Sequence, residues 1–456
     1  MIRKLIQGLI ILATTSPVFA TNAIYKDIAF QDPALTTLQQ TLLQQLRDEE
    51  LIGAGETAND MVELVSRDFD VDSLNYAKVL TNSALIDWKL DRPEPALASL
   101  RLAIVHTESI SPFHSALFEM LIAEAVIEHK TGYLEYAADT YRQAQHISHR
   151  IDGVYTQLQI PVIDALTEIY IRTNKPYQAD QEQRLKLKVI EQAFGPDDEA
   201  IIPTLTKLGA YFAVRGHSFN VNVNSQTRLY RDSLFRDAIN MFDRSLAILE
   251  DNYGEADLRL VDPLIEMSKV RFLQGSSRTQ AEEAMQRAYA IVSNHPSSDA
   301  ADVANALVKL ADTYTLTSDT RNVPTYEAAW ALLADTPENE QLRYQLFSIP
   351  KRLYPDKTLQ PVLARQPVTV PFGEELFVEL EYSVNPTGRV SEAKIIDSNV
   401  PNEQRKLYRS YISTLKYRPR MAEGSPVKTQ GLGLRQTYKV LQSAPSLSET
   451  VPPGED

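Results

Sequence analysis

An alanine recurs near the start of one amphipathic helical pattern after another, at Ala96, Ala137, Ala179, Ala238 and Ala281, with intervals of 41, 42, 59 and 43 residues. A repeat of this length constrains the fold more than any composition does, because each unit is one supersecondary element that must stack on its neighbours. The long interval reduces to 42 if the Asn-rich stretch from about 218 to 234 is a 17-residue loop insertion. Pro161, Pro203 and Pro263 keep the same period, at 42 and 60 residues. Each lies just inside the start of the preceding helix, where a missing N–H is tolerated. Gly195 and Gly254 each fall 16 residues after their alanine, where the second helix should stop. Within a unit, apolar residues follow the marker by four and seven positions: Ala96, Leu100 and Ala103; Ala137, Tyr141 and Ala144; Ala281, Met285 and Ala288. Those steps place them on one face, so a small residue admits a partner helix and a large one fills the groove. The unit is a helical hairpin, and the array is expected over 72–335 as a solenoid with a concave surface.

These residues resemble tetratricopeptide repeats, in particular the longer 42-residue kind of kinesin light chains. Gly132-Tyr-Leu-Glu-Tyr-Ala137 is similar to the turn between the helices of that family, and Ala193-Phe-Gly-Pro-Asp197 to its repeat end. Ala179 departs from the pattern, with Gln183 and Lys186 where an aromatic and a small residue belong. Armadillo- or HEAT-type helices share the period and stand as the alternative. Before the array, residues 21–71 read as an amino-terminal helical cap. It holds one helix, Pro33 to Glu50, started by Asp32 and broken by Gly53, Gly55 and Asn59.

The periodicity changes near the carboxy terminus. Pro350, Pro355, Pro361, Pro367 and Pro371 follow Pro337 and mark residues 336–365 as a linker. Leu376, Val378, Leu380, Tyr382 and Val384 then alternate with polar neighbours, as a half-buried strand does. Asn385-Pro-Thr-Gly-Arg389 is a turn; a strand follows at about 390–396, a helix at about 402–415, and extended chain at 417–420 and 427–440. One helix on a three-stranded antiparallel sheet is a sufficient core for a separate domain over 366–440. The expected fold is therefore mainly α, a helical-hairpin array followed by a small α+β domain.

That order resembles the TonB carboxy-terminal domain family. The matching residues are Val378, Leu380, Tyr382 and Val384; Pro386, Gly388, Arg389 and Val390; Ile395, Leu407, Leu415, Tyr417 and Pro419; and Gly424, Pro426 and Val427. The resemblance implies binding without catalysis, through a last strand whose open edge accepts an extended peptide from an outer-membrane receptor. Here that edge falls within Lys428 to Val440, with Lys428, Gly431, Gly433, Leu434, Arg435 and Tyr438 as the candidate site. Gly431 and Gly433 would either leave the backbone open to an incoming chain or form a bulge. A TonB-type transducer resembles a chain with a retained membrane anchor and a long Pro-rich spacer, which this sequence replaces with a repeat array.

Arg3 and Lys4 precede an apolar stretch from Leu5 to Ala13, and Val18 and Ala20 stand where a signal peptidase reads. Residues 1–20 are thus expected to be a cleaved signal peptide, leaving no membrane span; an inner-membrane anchor over 5–20 is the alternative, though Gln7 and Pro17 interrupt it. The chain has no cysteine, which suits an oxidising periplasm and excludes thiolate metal sites and cysteine nucleophiles.

With 46 basic and 60 acidic residues the net charge is −14, which argues against nucleic acid as the main partner. Charge is distributed unevenly: residues 365–439 carry +4 and residues 21–364 carry −17. Arg405, Lys406, Arg409, Lys416 and Arg418 form a candidate basic face that could dock on the array, a receptor or peptidoglycan, or simply face solvent. Residues 441–456, rich in Ser, Pro and acid, read as a disordered tail. His106, His114, His129, His146 and His149 cluster in sequence, but without a supporting carboxylate or thiolate pattern they read as an ordinary polar face. No phosphate loop, serine elbow or dinucleotide fingerprint is present, so no cofactor and no enzymatic activity are expected. The expectation is a periplasmic adaptor that binds envelope proteins or extended peptides, with a TonB-family energy transducer acting on outer-membrane receptors as the alternative.

Overall fold

The computed structural model describes residues 25–26, 28–68, 74–218, 225–275, 278–333, 336–353 and 376–438. The expected signal peptide, most of the proline-rich stretch and the acidic tail lie outside the described residues. The chain divides into two compact units at Tyr211/Phe212, within one helix, and each is described by itself.

The first unit is built of helical hairpins: α1 (Pro33–Arg47) with α2 (Leu51–Asp68), α3 (Leu74–Lys89) with α4 (Pro93–Ile110), α5 (Ser115–Thr131) with α6 (Leu134–Ile151), and α7 (Ile160–Arg172) with α8 (Pro176–Phe194). The helix α9 (Ile202–Ser218) contains the division between units. The marker alanines Ala96, Ala137 and Ala179 are fully buried within the packed hairpins, where a small side chain lets helices approach closely. One core runs from Ile28 to Ala179. The departures at Ala179 are matched by polar contacts: Gln183 donates to Thr167 Oγ1 at 2.8 Å, and Lys186 pairs with Asp164 at 2.6 Å.

Asp32 caps α1 through its side chain at 2.7 Å from the Ala34 N–H. Contrary to the sequence reading, Gly53, Gly55 and Asn59 do not break the chain; they lie inside α2. The reason is close approach. A side chain at Gly53 would meet Gln45 at 2.9 Å and one at Gly55 would meet Leu90 at 3.1 Å, while Thr57 donates to Gln45 at 2.8 Å. The glycines cost helix propensity and gain packing. Residues 28–65 thereby share the core of the repeats that follow.

In the second unit α10 (Ser225–Tyr253) precedes the hairpins α11 (Val261–Gln274) with α12 (Arg278–Asn294) and α13 (Ala300–Thr317) with α14 (Asn322–Leu332). Ala238 and Ala281 are fully buried. The expected loop insertion at 218–234 is corrected: Ser225 to Leu234 form the first turns of α10, and the buried Phe235 follows them, its ring so close to Gly216 that a side chain there would meet it at 3.0 Å. The linker expected at 336–365 is corrected likewise. It begins with α15 (Pro337–Phe347), capped by Thr336, and β1 (Lys351–Arg352), which pairs antiparallel with β4 (Tyr417–Arg418). Phe347 is fully buried, so an apolar anchor overrides the proline signal.

The strand-rich module follows. β2 (Leu376–Val384) is the centre of a three-stranded sheet, with β3 (Val390–Ser398) on one side and β7 (Thr429–Tyr438) on the other. The helix α16 (Asn402–Thr414) covers one face, and Val378, Leu380, Tyr382, Tyr408 and Ile412 form the core between them. β5 (Arg420–Ala422) and β6 (Ser425–Val427) make a small hairpin. At the turn between β2 and β3, Gly388 has φ 78° and no room for a side chain, because the Tyr417 carbonyl and the Thr315 methyl lie against it.

Candidate peptide-binding edge

The direction of each backbone group in β2 follows from one anchor point. The Phe377 N–H donates to Asn399 Oδ1 at 2.7 Å and its carbonyl accepts from the Asn399 N–H at 3.3 Å, so both groups face β3. Successive residues of an antiparallel strand alternate, so Val378, Leu380 and Tyr382 turn their groups toward β7. Their partners in register are Gln436, Leu434 and Leu432. The main-chain groups of Gly433, Arg435 and Thr437 therefore point away from the sheet. Among the described residues β7 pairs with β2 alone, and this outward row is an open edge.

The opposite edge is built differently. β3 carries two register irregularities, between the positions facing Glu379 and Leu380 and between those facing Glu381 and Ser383, and Glu392 there has φ 55°. Bulges of this kind twist an edge away from further pairing.

Lys428 is exposed just before β7 and pairs with Glu392 at 2.6 Å. That bond, with a second from Ser383, holds the Glu392 carboxyl below its usual range. Gly431, at φ 70°, sits at the register shift between Tyr382/Leu432 and Val384/Thr429, where β7 carries one extra residue. It forms a bulge. Gly433 lies in regular pairing opposite Glu381, and a side chain there would meet nothing within 4 Å. Leu434 packs with Leu432 against the core. Arg435 lies over the Phe377 ring at 4.2 Å and pairs with Glu379 at 3.4 Å. Tyr438 ends the strand opposite Leu376.

The candidate basic residues do not share one surface. Arg405 folds back on the Val400 and Ser398 carbonyls at 2.9 and 3.1 Å, which ties the start of α16 to the end of β3. Lys406 and Arg409 are exposed on α16. Lys416 and Arg418 instead join the module to the last repeat helices. Lys416 donates to Ser318 Oγ at 3.1 Å, and burial followed by the nearby Arg389 lowers its pKa. Arg418 is buried and holds Asp312 of α13 at 2.9 and 2.5 Å, with a third bond to the Leu346 carbonyl at 3.3 Å. Burial works against its charge, but the Asp312 carboxylate and Tyr326 together outweigh this and raise the guanidinium pKa. Tyr326 donates to the same carboxylate at 2.7 Å, and Asn322 donates to the Thr387 carbonyl at 3.1 Å. Met421 completes the joint beside Tyr326 and Phe347.

Sequence reasoning missed Asp312, Asn322 and Tyr326. A signal existed in α13, where an aspartate interrupts the buried run Leu307, Val308, Leu310 and Ala311. A carboxylate in such a setting needs a cation or donors from elsewhere in the chain.

The five clustered histidines go to five separate partners. His106 packs edge-on against Tyr76, His146 against Phe113, His114 caps α5, His129 lies 3.6 Å from Glu168, and His149 bonds Gln159 at 2.6 Å. Among the described residues no three potential ligands come together as a metal site, and no helix is long and apolar enough to cross a membrane. Between α11, α12 and α13 there is an open groove of about 270 Å³, lined by Val261, Ile265, Met285, Tyr289, Asp302 and Lys309.

No family profile matches the sequence, and no curated protein matches it. Among solved structures the chain is similar to BtubC (BKLC) of P. vanneervenii, at 17% identity, covering 62% of this chain and 98% of that one, with a TM-score of 0.32. It is similar to the apo form of RapI, at 14% identity, covering 68% and 99%, with a TM-score of 0.34. A kinesin-light-chain-type protein of Podosopora anserina with nearly identical TPR-like repeats matches at 10% identity, covering 59% and 100%, with a TM-score of 0.28. The chain itself shows TPR-like helical hairpins with buried marker alanines, followed by a small strand-rich module.

Proposed function

We propose that this chain is a non-enzymatic periplasmic adaptor whose TPR-like hairpins and TonB-like module each hold a protein segment, the module by adding an extended peptide to β7. The observation that carries the reading is the outward row of main-chain groups at Gly433, Arg435 and Thr437. Strand addition takes its affinity from such groups and needs few particular side chains. The joint through Arg418 and Asp312 supports it, since it fixes this edge to the last repeat helices rather than leaving it on a tether. Hairpin repeats bury one face and present another, so a second segment has a surface to lie on, as in the groove beside Tyr289. The short apolar run before Ala20 and the absence of cysteine support export to the periplasm, where an extended segment of an envelope protein is the partner.

Amide hydrogen exchange of the full chain with and without an alternating Thr/Val peptide tests the edge. Protection is expected at Gly433, Arg435 and Thr437, with little change at Leu432, Leu434 and Gln436, which are already paired. Protection absent from β7 overturns the reading. The intact mass of protein from the envelope fraction tests export: a chain starting at Thr21 is expected, and one retaining Met1 is not.

A further inference from the structure

On the open face of the sheet, β2 and β7 form cross-strand pairs of unequal completeness. Glu379 stands opposite Arg435 and is paired with it at 3.4 Å. Glu381 stands opposite Gly433, which offers no side chain at all. The Glu381 side chain is exposed and has no ion-pair partner among the described residues. Lys394 of β3 faces it in register without pairing to it. The strand thus supplies a cation at one position and an empty place at the next.

An incoming strand would fill that place. Gly433 turns its main-chain groups outward, so the residue paired with it directs its side chain to the same face as Glu381. The two backbones would be two strand spacings apart, about 10 Å. A lysine or arginine stem spans that gap together with a glutamate side chain, provided the intervening strand has no side chain in the way. Gly433 is the one residue type that satisfies this condition.

We infer that the β7 edge selects extended peptides carrying a basic residue opposite Gly433, whose cation reaches Glu381 across the glycine. This inference rests on strand addition at β7. It adds the chemistry by which one extended segment is preferred to another, since the main-chain row alone accepts any sequence.

The test uses the full chain and two labelled peptides, acetyl-Thr-Val-Thr-Val-Lys-Val-Thr-amide and the same peptide with glutamate in place of lysine, followed by fluorescence anisotropy. Wild type is expected to prefer the lysine peptide by about tenfold at low salt, combining a favourable and an unfavourable cross-strand charge pair. The preference should shrink at 0.5 M salt, roughly the range where screening reaches a few ångströms. In Glu381→Gln the ratio should fall to about one, with circular dichroism unchanged. Equal affinity of the two peptides in wild type, with both lost in Arg435→Pro, overturns this inference and leaves strand addition standing. A lysine preference that survives Glu381→Gln overturns it too. No binding of either peptide to wild type overturns both readings.

Discussion

Arg418 and Asp312, 106 residues apart in sequence, meet in a buried two-point ion pair at 2.9 and 2.5 Å. The side chains are 5% and 17% exposed, and the same carboxylate also accepts from Tyr326. A carboxylate with three donors is well satisfied, and the geometry specifies how the strand-rich module seats on α13, α14 and α15.

Removing one partner is therefore worse than removing both. Arg418→Ala should destabilise the second unit by about 3–5 kcal/mol, because Asp312 is left buried without its cation. Asp312→Leu combined with Arg418→Met should recover most of that loss. Trp330, which packs beside Phe347 and against Gly424, is the reporter: its fluorescence under urea unfolding should shift early in the single variant and close to wild type in the double. Equal destabilisation by both would show that the pair is peripheral to the joint.

The marker alanines make a second prediction. Ala137 is fully buried where α5 crosses α6, beside the fully buried Tyr141. Ala137→Leu inserts volume with no place to go and should cost about 1–3 kcal/mol. Thermal unfolding followed at Trp88, with Trp330→Phe as background, reads the first unit alone, since the chain has two tryptophans. An unchanged midpoint would mean that the small residue is not what sets the helix approach.

These alanines also show which parts of the fold were legible from residues alone. Ala137, Tyr141 and Ala144 lie on one stripe, and a stripe is a local property that period counting detects. Gly53 and Gly55 carry the opposite local signal, and their helix exists because Gln45 and Leu90 pass close to it, which no local window contains. The proline run hid α15 for the same reason, since Phe347 is held by Tyr326 and Trp330. For the candidate edge, alternation in β2 and the Asn385–Arg389 turn placed the strands. The partition of Gly431 into a bulge and Gly433 into regular pairing depends on register, which is a relation between two strands. Lys416 and Arg418 read as surface charge because their partners, Ser318 and Asp312, lie in another element.

Burial raises the carboxyl pKa of Glu124 and of Glu182; Arg101 opposes it at the first, and the Gln145 amide and Arg142 oppose it at the second. The folded chain therefore holds these protons to higher pH than the unfolded chain does. The stability they contribute is fully present below the unfolded carboxylate value, about 4.3, and is lost as pH rises through the raised folded value. Glu168 runs the other way, held down by its bond to His129. Glu182→Gln in the Trp330→Phe background isolates one contribution: relative to that background alone, its urea midpoint at Trp88 should rise as pH is raised from about 4 to 7. A difference that stays flat across that range would remove Glu182 from the pH dependence.

Two prolines one residue apart discriminate the edge from the ladder. Leu434 faces its register partner Leu380, and its N–H points into the sheet toward β2. Leu434→Pro removes that donor, leaves a β2 carbonyl short of its partner, and should destabilise the module by about 1–3 kcal/mol, more if the strand shifts. Arg435 turns its N–H outward, where an edge strand tolerates proline. The residue before a proline is pushed toward extended backbone, which Leu434 already adopts. Arg435→Pro loses the half-exposed contacts to Glu379 and Phe377, an ion pair of this kind being worth under about 1 kcal/mol. Its fold should survive while an added strand loses one main-chain bond at the centre of the site. The expected pattern is a folded Arg435→Pro chain that no longer binds an extended peptide, beside a Leu434→Pro chain with a lowered unfolding midpoint. If Arg435→Pro binds as tightly as wild type, the outward row of β7 is not where a partner strand adds; if it unfolds as readily as Leu434→Pro, the alternation deduced from Phe377 and Asn399 is reversed.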